Sequence, residues 1–443
     1  MKKKALYLCF LGLFLAICLA LSVGILCFGP ALPGANEQLQ KPPVWKDSEG
    51  NYNDSFFTDA AAWVNDHFYL RQTLISTNHL LNKTLFSTSG ENTVIVGQED
   101  WLYFGETLDN YTGLNAFSQR ELFAITQNLA LMARYCEENG KSFTFMIAPN
   151  KNSLYPQHMP DFGVTTAIPD SRKLLDLLTS TDVNTVDLFT EFLNRSEILY
   201  YATDSHWHTR GAALAADLIN ETFGVQTAFY EGPFVTSETP YTGDLFHMLY
   251  PAFEGTEPDL VYAGELNFTY TGKSTKPDAI TLTTESGQPG SILVYRDSFG
   301  NLLHPYLAAS YGTAQFSRSN AYDLTQDYDH VLIELVERNL SYLLKNVPVM
   351  TCPTEELTLP QAGGTVSMTA NPKSKAPEGY VLWTGTVTTD LDPDSPIYVQ
   401  ANDQVYRAFL TENNGFAVYL PAQCAPECAA WYIGSVLTSY SPT

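Results

Sequence analysis

The stretch SILVYRDSFGNLLHPYLAASYG, residues 291–312, predicts a strand, a turn and a helix in that order. Residues 291–295 are mostly apolar, which is typical of a strand buried on both faces of a sheet. Asp297 and Ser298 follow, and both are residue types that favour the start of a helix. Residues 299–310 fit that helix. Because strands that alternate with helices usually pair in parallel, this stretch indicates an α/β fold.

The flanking sequence repeats this alternation of strand and helix on both sides. Strands are predicted at residues 142–149, 185–189 and 330–336, and helices at residues 118–140, 170–178 and 210–223. These segments predict a parallel sheet with helices on both faces. Residues 225–288 are polar and rich in Tyr, Thr and Gly, and they interrupt the alternation of predicted strands and helices. We expect them to form an insertion over the top of the sheet.

The N-terminal end of the chain predicts a transmembrane helix. Three lysines, at positions 2 to 4, precede an uncharged apolar run over residues 5–28. This run is longer than the apolar core of a signal peptide, and it matches the thickness of a bilayer. We therefore expect a single-pass anchor in the cell membrane, with everything after it extracytoplasmic. A long cleaved signal peptide is the alternative, and it also exports the rest of the chain.

The C-terminal end has a different sequence pattern, in which short runs of residues that favour β-strands are separated by Pro, Gly and Asn. It predicts a small all-β sandwich. The chain thus divides into an anchor (1–30), a stalk (31–55), the α/β domain (56–349) and the sandwich (350–443). The aromatic residues Trp383 and Trp431 have two interpretations, a platform that binds carbohydrate or a filled core. One disulfide among Cys352, Cys424 and Cys428 is compatible with an oxidising compartment.

Charge and cysteine spacing exclude two classes of function. The chain has 48 acidic and 24 basic residues, a net charge of −24. Nucleic-acid binding requires a basic surface, so we expect no nucleic-acid partner. No Cys-x-x-Cys pair is present, which argues against a structural zinc site.

Ser298 is a candidate nucleophile. It is expected at the carboxyl end of a buried strand and at the start of a helix. Ligands bind at that edge of an open α/β sheet, and the helix start offers free N–H groups to an oxyanion. The competing interpretation is a plain helix cap, since Asp-Ser before a helix is common.

A second candidate stretch is TDSHWHTRGAALAADLI, residues 203–219, where Asp204, His206 and His208 alternate before a helix. They have three interpretations: an acid–base pair, a metal site, or polar residues that merely cap the N-terminus of the following helix. No second His-rich or acidic cluster completes a metal site, so we predict no metal and no cofactor. A serine nucleophile needs a base, and the base needs a carboxylate partner. Ser298, His206 and Asp204 together supply these three roles.

Seven short motifs, taken together, resemble a known family. They are NDHFYLRQTLI (65–75), VIVGQEDWLYFG (94–105), IAPNKNSLYPQHMP (147–160), TDSHWHTRGA (203–212), YTGDLFHML (241–249), VYRDSFGN (294–301) and VLIELVERNL (331–340). In order and spacing they are similar to SGNH-like acetyltransferases of the alginate O-acetyltransferase (AlgX/AlgJ) type and to the related DHHW proteins. The resemblance covers roughly residues 56–345 and leaves out the C-terminal sandwich.

The resemblance implies an SGNH-like, flavodoxin-like sheet and covalent acyl transfer. Ser298 matches the family's nucleophile, His206 its base and Asp204 its orienting acid. Asn150, Arg296 and His208 are further candidates for binding the substrate or the oxyanion, although His208 has packing as its alternative role. The expected function is O-acetylation of an exported polysaccharide or wall glycan, with a membrane-bound O-acyltransferase as partner. A carbohydrate esterase and a non-enzymatic polysaccharide-binding scaffold are the alternatives.

Overall fold

The computed structural model describes residues 2–31, 37, 39–86, 88–163 and 168–443. The helices are α1 Lys2–Phe28, α2 Phe56–His67, α3 Arg71–Phe86, α4 Leu108–Thr112, α5 Gln119–Glu138, α6 Lys151–Leu154, α7 Asp170–Leu178, α8 Leu188–Leu193, α9 Thr209–Thr222, α10 Asp244–Leu249, α11 Gly300–Ser310 and α12 Tyr342–Lys345. Short 3₁₀ helices cover Gly105–Thr107, Pro156–His158 and Glu337–Asn339.

The strands fall into five sheets. They are β1 Val94–Val96, β2 Leu102–Phe104, β3 Ser142–Ala148, β4 Asn184–Val186, β5 Phe234–Thr236, β6 Leu260–Tyr262, β7 Phe268–Tyr270, β8 Thr281–Ser286, β9 Ser291–Tyr295, β10 Thr313–Ser317, β11 His330–Val336, β12 Thr354–Glu355, β13 Gly364–Val366, β14 Met368–Asn371, β15 Tyr380–Thr386, β16 Tyr398–Ala401, β17 Gln404–Arg407, β18 Phe409–Thr411, β19 Gly415–Pro421, β20 Cys428–Ile433 and β21 Val436–Pro442.

A seven-stranded sheet in the order β4-β3-β11-β9-β10-β8-β7 forms the centre of the α/β region. Its first five strands are parallel, and the strands predicted at 291–295 and 330–336 have those bounds. Every residue of β11 after the first is buried, which requires cover on both faces of the sheet. Helix α5 packs against α7, and α9 packs against α11. The predicted α/β sheet with helices on both faces is confirmed.

One expectation about the sheet is wrong in part. Residues 225–288 do not lie only over its top, because β8 and β7 within them extend its edge in the antiparallel direction. β8 alternates buried and more exposed residues, as a strand covered on one face does. The segment also holds the β5–β6 pair and α10.

The C-terminal region consists of a six-stranded and a four-stranded sheet, as the predicted sandwich requires. Trp431 is 1% exposed, stacks on Tyr440 with ring centroids 4.1 Å apart, and donates from Nε1 to the Asp390 carbonyl. It therefore belongs to the core and not to a sugar-binding platform. Trp383 is partly exposed.

The expected C-terminal disulfide is absent from the described residues, where Cys352, Cys424 and Cys428 are free thiols. Cys352 is buried, and its sulfur accepts a hydrogen bond from the backbone N–H of Tyr419. Burial raises the pKa of Cys352 to about 12, which keeps the thiol protonated and unreactive.

Helix α1 contains an apolar span, Tyr7–Phe28, that is long and apolar enough to cross a membrane. Such a helix near an N-terminus is typical of a membrane anchor or of a signal sequence. The ring of Phe28 at its end stacks on Tyr69, with centroids 4.6 Å apart.

Candidate active site

The turn that carries Ser298 lies at the carboxyl edge of the central sheet, between β9 and α11. Asp297 holds this turn against the neighbouring strand. Its Oδ2 accepts from the N–H of Val336 at 2.7 Å and from the side chain of Asn339 at 3.0 Å. Its Oδ1 accepts from the N–H of Phe299 at 2.9 Å. Asp297 is thus a structural anchor of the turn, and it leaves the Ser298 hydroxyl free for other partners.

The structure brings Ser298, His206 and Asp204 into one chain of hydrogen bonds. Nε2 of His206 lies 2.8 Å from Oγ of Ser298, although the two residues are far apart in sequence. Nδ1 of His206 lies 2.7 Å from Oδ1 of Asp204. Since Nδ1 faces a carboxylate and carries the proton, Nε2 is the nitrogen that can accept a proton from the serine.

Electrostatics favour an ionised Asp204 and a basic His206. Asp204 is 2% exposed, and its Oδ2 accepts from the Tyr241 hydroxyl and the Asp244 N–H, both at 2.8 Å. Burial opposes ionisation, but the hydrogen bonds and the charge of His206 outweigh it and hold the pKa of Asp204 well below its usual range. Burial likewise acts to lower the pKa of His206, but Asp204 overcomes it and the pKa is raised.

Lys151 holds the backbone of the loop that carries this pair. Its buried Nζ donates to the carbonyl oxygens of Tyr201 at 3.1 Å, Ala202 at 2.9 Å and Asp204 at 2.6 Å. An ammonium group has three N–H donors, so these three carbonyls use all of them. Burial lowers the pKa of Lys151 to about 8, against the pull of Asp204, and the group is still mostly charged at neutral pH.

Two donors are available for an oxyanion near Ser298. The N–H of Ser298 itself has no acceptor among the described residues. Asn150 is 1% exposed, and neither polar atom of its side chain has a partner in the described part of the chain. It follows β3, and its backbone N–H donates to Glu337, just after β11. Since β11 pairs with both β3 and β9, Asn150 and Ser298 share the same edge of the sheet.

Two of the expected binding residues have other roles. Nδ1 of His208 accepts from the N–H groups of Arg210 and Gly211, and Nε2 donates to the Ile198 carbonyl. His208 is therefore the N-cap of α9 and has no ring nitrogen left for a substrate.

Arg296 is likewise occupied within the protein. One guanidinium nitrogen donates to Asn301 at 2.7 Å, and the other donates to the Pro277 carbonyl at 2.5 Å. This side chain, 4% exposed, links the turn that carries Ser298 to the segment before β8, and it does not reach out to a ligand.

Asp204, His206 and Asp244 offer ligand atoms within 4.8 Å of one another, which is the spacing of a metal site. Each carboxylate is already satisfied by the protein, however. Oδ2 of Asp244 accepts from the Ser205 hydroxyl at 2.6 Å, and Oδ1 accepts from the Ser205 N–H at 2.8 Å. Hydrogen bonding within the protein therefore accounts for the cluster without an ion.

Sequence reasoning missed the roles of Lys151, Tyr241 and Asp244. All three lie in motifs that resemble the family, IAPNKNSLYPQHMP (147–160) and YTGDLFHML (241–249). Both motifs lie at helix starts, with Asn150 just before α6 and Gly243 just before α10. That signal indicated a site, but it did not reveal which residue contacts Asp204.

Residues 94–279 match the family model described as "SGNH hydrolase-like domain, acetyltransferase AlgX". Ser298 lies beyond the end of that match. No curated protein sequence matches this chain significantly.

Three solved structures are similar in fold. PatB1 of Bacillus cereus has 16% identity and a TM-score of 0.46, over 56% of this chain and 97% of that chain. A DHHW family protein from Eubacterium siraeum has 14% identity and a TM-score of 0.42, over 59% and 97%. AlgX of Pseudomonas aeruginosa has 14% identity and a TM-score of 0.36, over 79% and 90%. The match of the family model confirms the resemblance predicted from the motifs: over residues 94–279 the chain is similar to the SGNH hydrolase-like domain of acetyltransferase AlgX.

Proposed function

We propose that this protein transfers acetyl groups to hydroxyls of an exported polysaccharide or wall glycan, through an acetyl intermediate on Ser298. The observation that carries the proposal is the hydrogen-bonded chain from Ser298 Oγ through His206 to Asp204, at 2.8 and 2.7 Å. The family to which residues 94–279 match supports acetyl as the acyl group. The apolar span of α1 supports action at the extracytoplasmic face of a membrane.

The reaction has two halves, which His206 serves in turn. His206 takes the proton of Ser298 as Oγ attacks the carbonyl carbon of an acetyl ester, and the leaving alcohol then receives that proton. A hydroxyl of the glycan next gives its proton to His206 and attacks the acetyl-serine. Ser298 leaves and regains the proton, so the acetyl group has moved from one oxygen to another. Asp204 stabilises the imidazolium in both halves.

Two donors stabilise the negative oxygen of each tetrahedral intermediate in this proposal, the N–H of Ser298 and the side chain of Asn150. The unpartnered and buried amide of Asn150 supports this role. Loss of one such donor typically costs about 100- to 1000-fold in rate. The acetyl donor in the cell is proposed to be a membrane-bound O-acyltransferase partner, as the family resemblance implies, next to the anchor of this chain.

A comparison of transfer with hydrolysis tests the proposal. The full chain in detergent micelles is incubated with p-nitrophenyl acetate, with and without short glycans, beside the Ser298→Ala variant. Acetylated glycan formed by the wild type and lost in the variant is expected. If acetate is released and added glycan neither lowers this release nor becomes acetylated, the result would favour a carbohydrate esterase. No acetylation of serine or glycan would contradict the enzyme and favour the polysaccharide-binding scaffold.

A further inference from the structure

Arg338 is the one arginine of the described residues whose guanidinium has no hydrogen-bond acceptor. The chain has ten arginines, all of them within the described part. The other nine donate to carboxylates, amide oxygens or backbone carbonyls of the protein. In a chain with twice as many acidic as basic residues, an arginine without an acceptor is conspicuous. Arg338 is also only partly exposed, so it is not simply a solvated surface charge.

The acids beside Arg338 are committed to other partners. The carboxylate of Glu337 accepts from the hydroxyls of Ser153 and Ser171, both at 2.6 Å. The carboxylate of Asp297 accepts from the N–H groups of Phe299 and Val336 and from the side chain of Asn339. Because neither acid turns to the guanidinium, the positive charge of Arg338 remains available to a molecule from outside.

Two aromatic rings hold Arg338 beside the candidate nucleophile. Its guanidinium lies 5.2 Å from the ring centre of Phe104 and 5.8 Å from that of Phe299. Phe299 follows Ser298 directly, and its ring packs against His206 with centroids 4.7 Å apart. Stacking on rings orients a guanidinium while its N–H edge stays free for a ligand. The charge of Arg338 also acts to lower the pKa of His206.

We propose that Arg338 binds an anionic group, a carboxylate or a phosphate, of the acceptor glycan next to the hydroxyl that is acetylated. This inference rests on the proposed function and names the class of its acceptor. A guanidinium matches either anion with two parallel hydrogen bonds, which gives orientation as well as affinity. A neutral glycan offers no anion for these hydrogen bonds, and it would leave the charge of Arg338 without a partner.

Binding tests this proposal without any need for catalysis. The full-length Ser298→Ala chain in detergent micelles is titrated with an oligouronide, a glycerol-phosphate oligomer and a neutral chito-oligosaccharide. The same titrations are made with Arg338→Met and Arg338→Lys added to it. Arg318→Met is the matched control, since the Arg318 guanidinium already donates to the Asp278 carbonyl.

We expect one anionic oligomer to bind more tightly than the neutral one, and which of the two does so identifies the anion. Arg338→Met is expected to weaken that binding by about tenfold. Arg338→Lys is expected to have an intermediate effect, because lysine keeps the charge but lacks the two parallel N–H donors of the guanidinium. The control is expected to bind as the parent does. Equal binding by parent and Arg338→Met, or no binding of either anionic oligomer, would overturn the proposal. Failure of the proposed function would appear separately, as no acetylation of Ser298 in the wild type.

Discussion

At the scale of single residues, the ionisation of His206 determines the pH range of acyl transfer. The ring must be neutral to accept the proton of Ser298, so activity falls as the pH drops through the pKa of His206. Burial acts to lower this pKa, but Asp204 raises it above the usual value near 6.5. The acid limb of the pH–rate profile is therefore expected above that value. In Asp204→Asn, which removes the charge, it should move to lower pH while the rate falls by about a thousandfold or more. If the acid limb of Asp204→Asn stays where it is in the wild type, a group other than His206 controls the loss of activity at low pH.

Lys151 is expected to act through the position of the Asp204 loop. Lys151→Met leaves the buried carbonyls of Tyr201 and Asp204 without a donor, while the Ala202 carbonyl keeps the Leu102 N–H. We expect it to lower kcat by roughly tenfold or more. Lys151→Arg should not restore it, because a planar guanidinium cannot follow three carbonyls that converge on one ammonium. Lys141→Met is the control, since Lys141 donates to the Leu324 and Gln326 carbonyls away from the site. Equal losses in kcat for both lysine-to-methionine variants would indicate a general loss of structure.

The proximity of Asp204, His206 and Ser298 was predictable at this scale because each of them lies in a motif that can be identified within a short stretch of sequence. Asp204 and His206 lie two residues apart, and Ser298 lies where a strand meets a helix. The roles of Lys151 and Tyr241 were not predictable, because nothing near either residue in the sequence indicates which distant segment its side chain contacts. Arg296 and His208 were candidate binding residues by their types alone. The structure uses their nitrogens to fasten a turn and to cap a helix.

At the scale of elements, the start of α10 lies very close to the loop that carries Asp204. Gly243 precedes α10, and a Cβ there would lie 2.1 Å from the Thr203 carbonyl oxygen and 2.7 Å from the Asp204 N. Gly243→Ala is therefore expected to destabilise the fold by about 1–3 kcal/mol and to lower kcat, since the clash moves Asp204. Gly363→Ala, in open space, is the control. Thermal unfolding and ester hydrolysis measure the two effects, and a Gly243→Ala variant with the unfolding temperature and kcat of the control would refute the contact.

Element prediction succeeded where burial is complete and weakened at the sheet edge. The apolar runs of β9 and β11 are stable only when they are buried, so the bounds of both strands were predictable. β8, with the sequence TLTTES, is polar and acquires its role only when it pairs with β10. Its place in the sheet depends on pairing with β10, and the sequence pattern of β8 alone does not reveal this pairing.

At the scale of the molecule, helix α5 joins the α/β region to the C-terminal sheets through the backbone of β18. The side chain of Asn128, 1% exposed, accepts from the Leu410 N–H at 3.0 Å and donates to its carbonyl at 2.8 Å. β18 is the edge strand of its sheet, and Asn128 satisfies a backbone edge that would otherwise be unpaired.

Asn128→Ala is expected to lower the free energy of unfolding by about 2–4 kcal/mol, because it leaves two buried backbone groups without partners. Gln119→Ala is the control, since Gln119 bonds Asp394 in the same interface but in an exposed position. Denaturant unfolding of the full chain in micelles measures both. Equal small losses in the two variants would show that the edge of β18 finds other partners.

Mass spectrometry of the peptide that contains Ser298 can show whether this serine carries the acetyl group. The full chain is mixed with p-nitrophenyl acetate, quenched in acid within seconds and digested, beside Ser298→Ala and His206→Ala. The proposed acyl-serine mechanism predicts one added acetyl group on Ser298 in the wild type and strongly reduced labelling in His206→Ala, because the serine then lacks its base. Acetylation of some other residue at the same rate in all three proteins, with Ser298 unmodified, would contradict it.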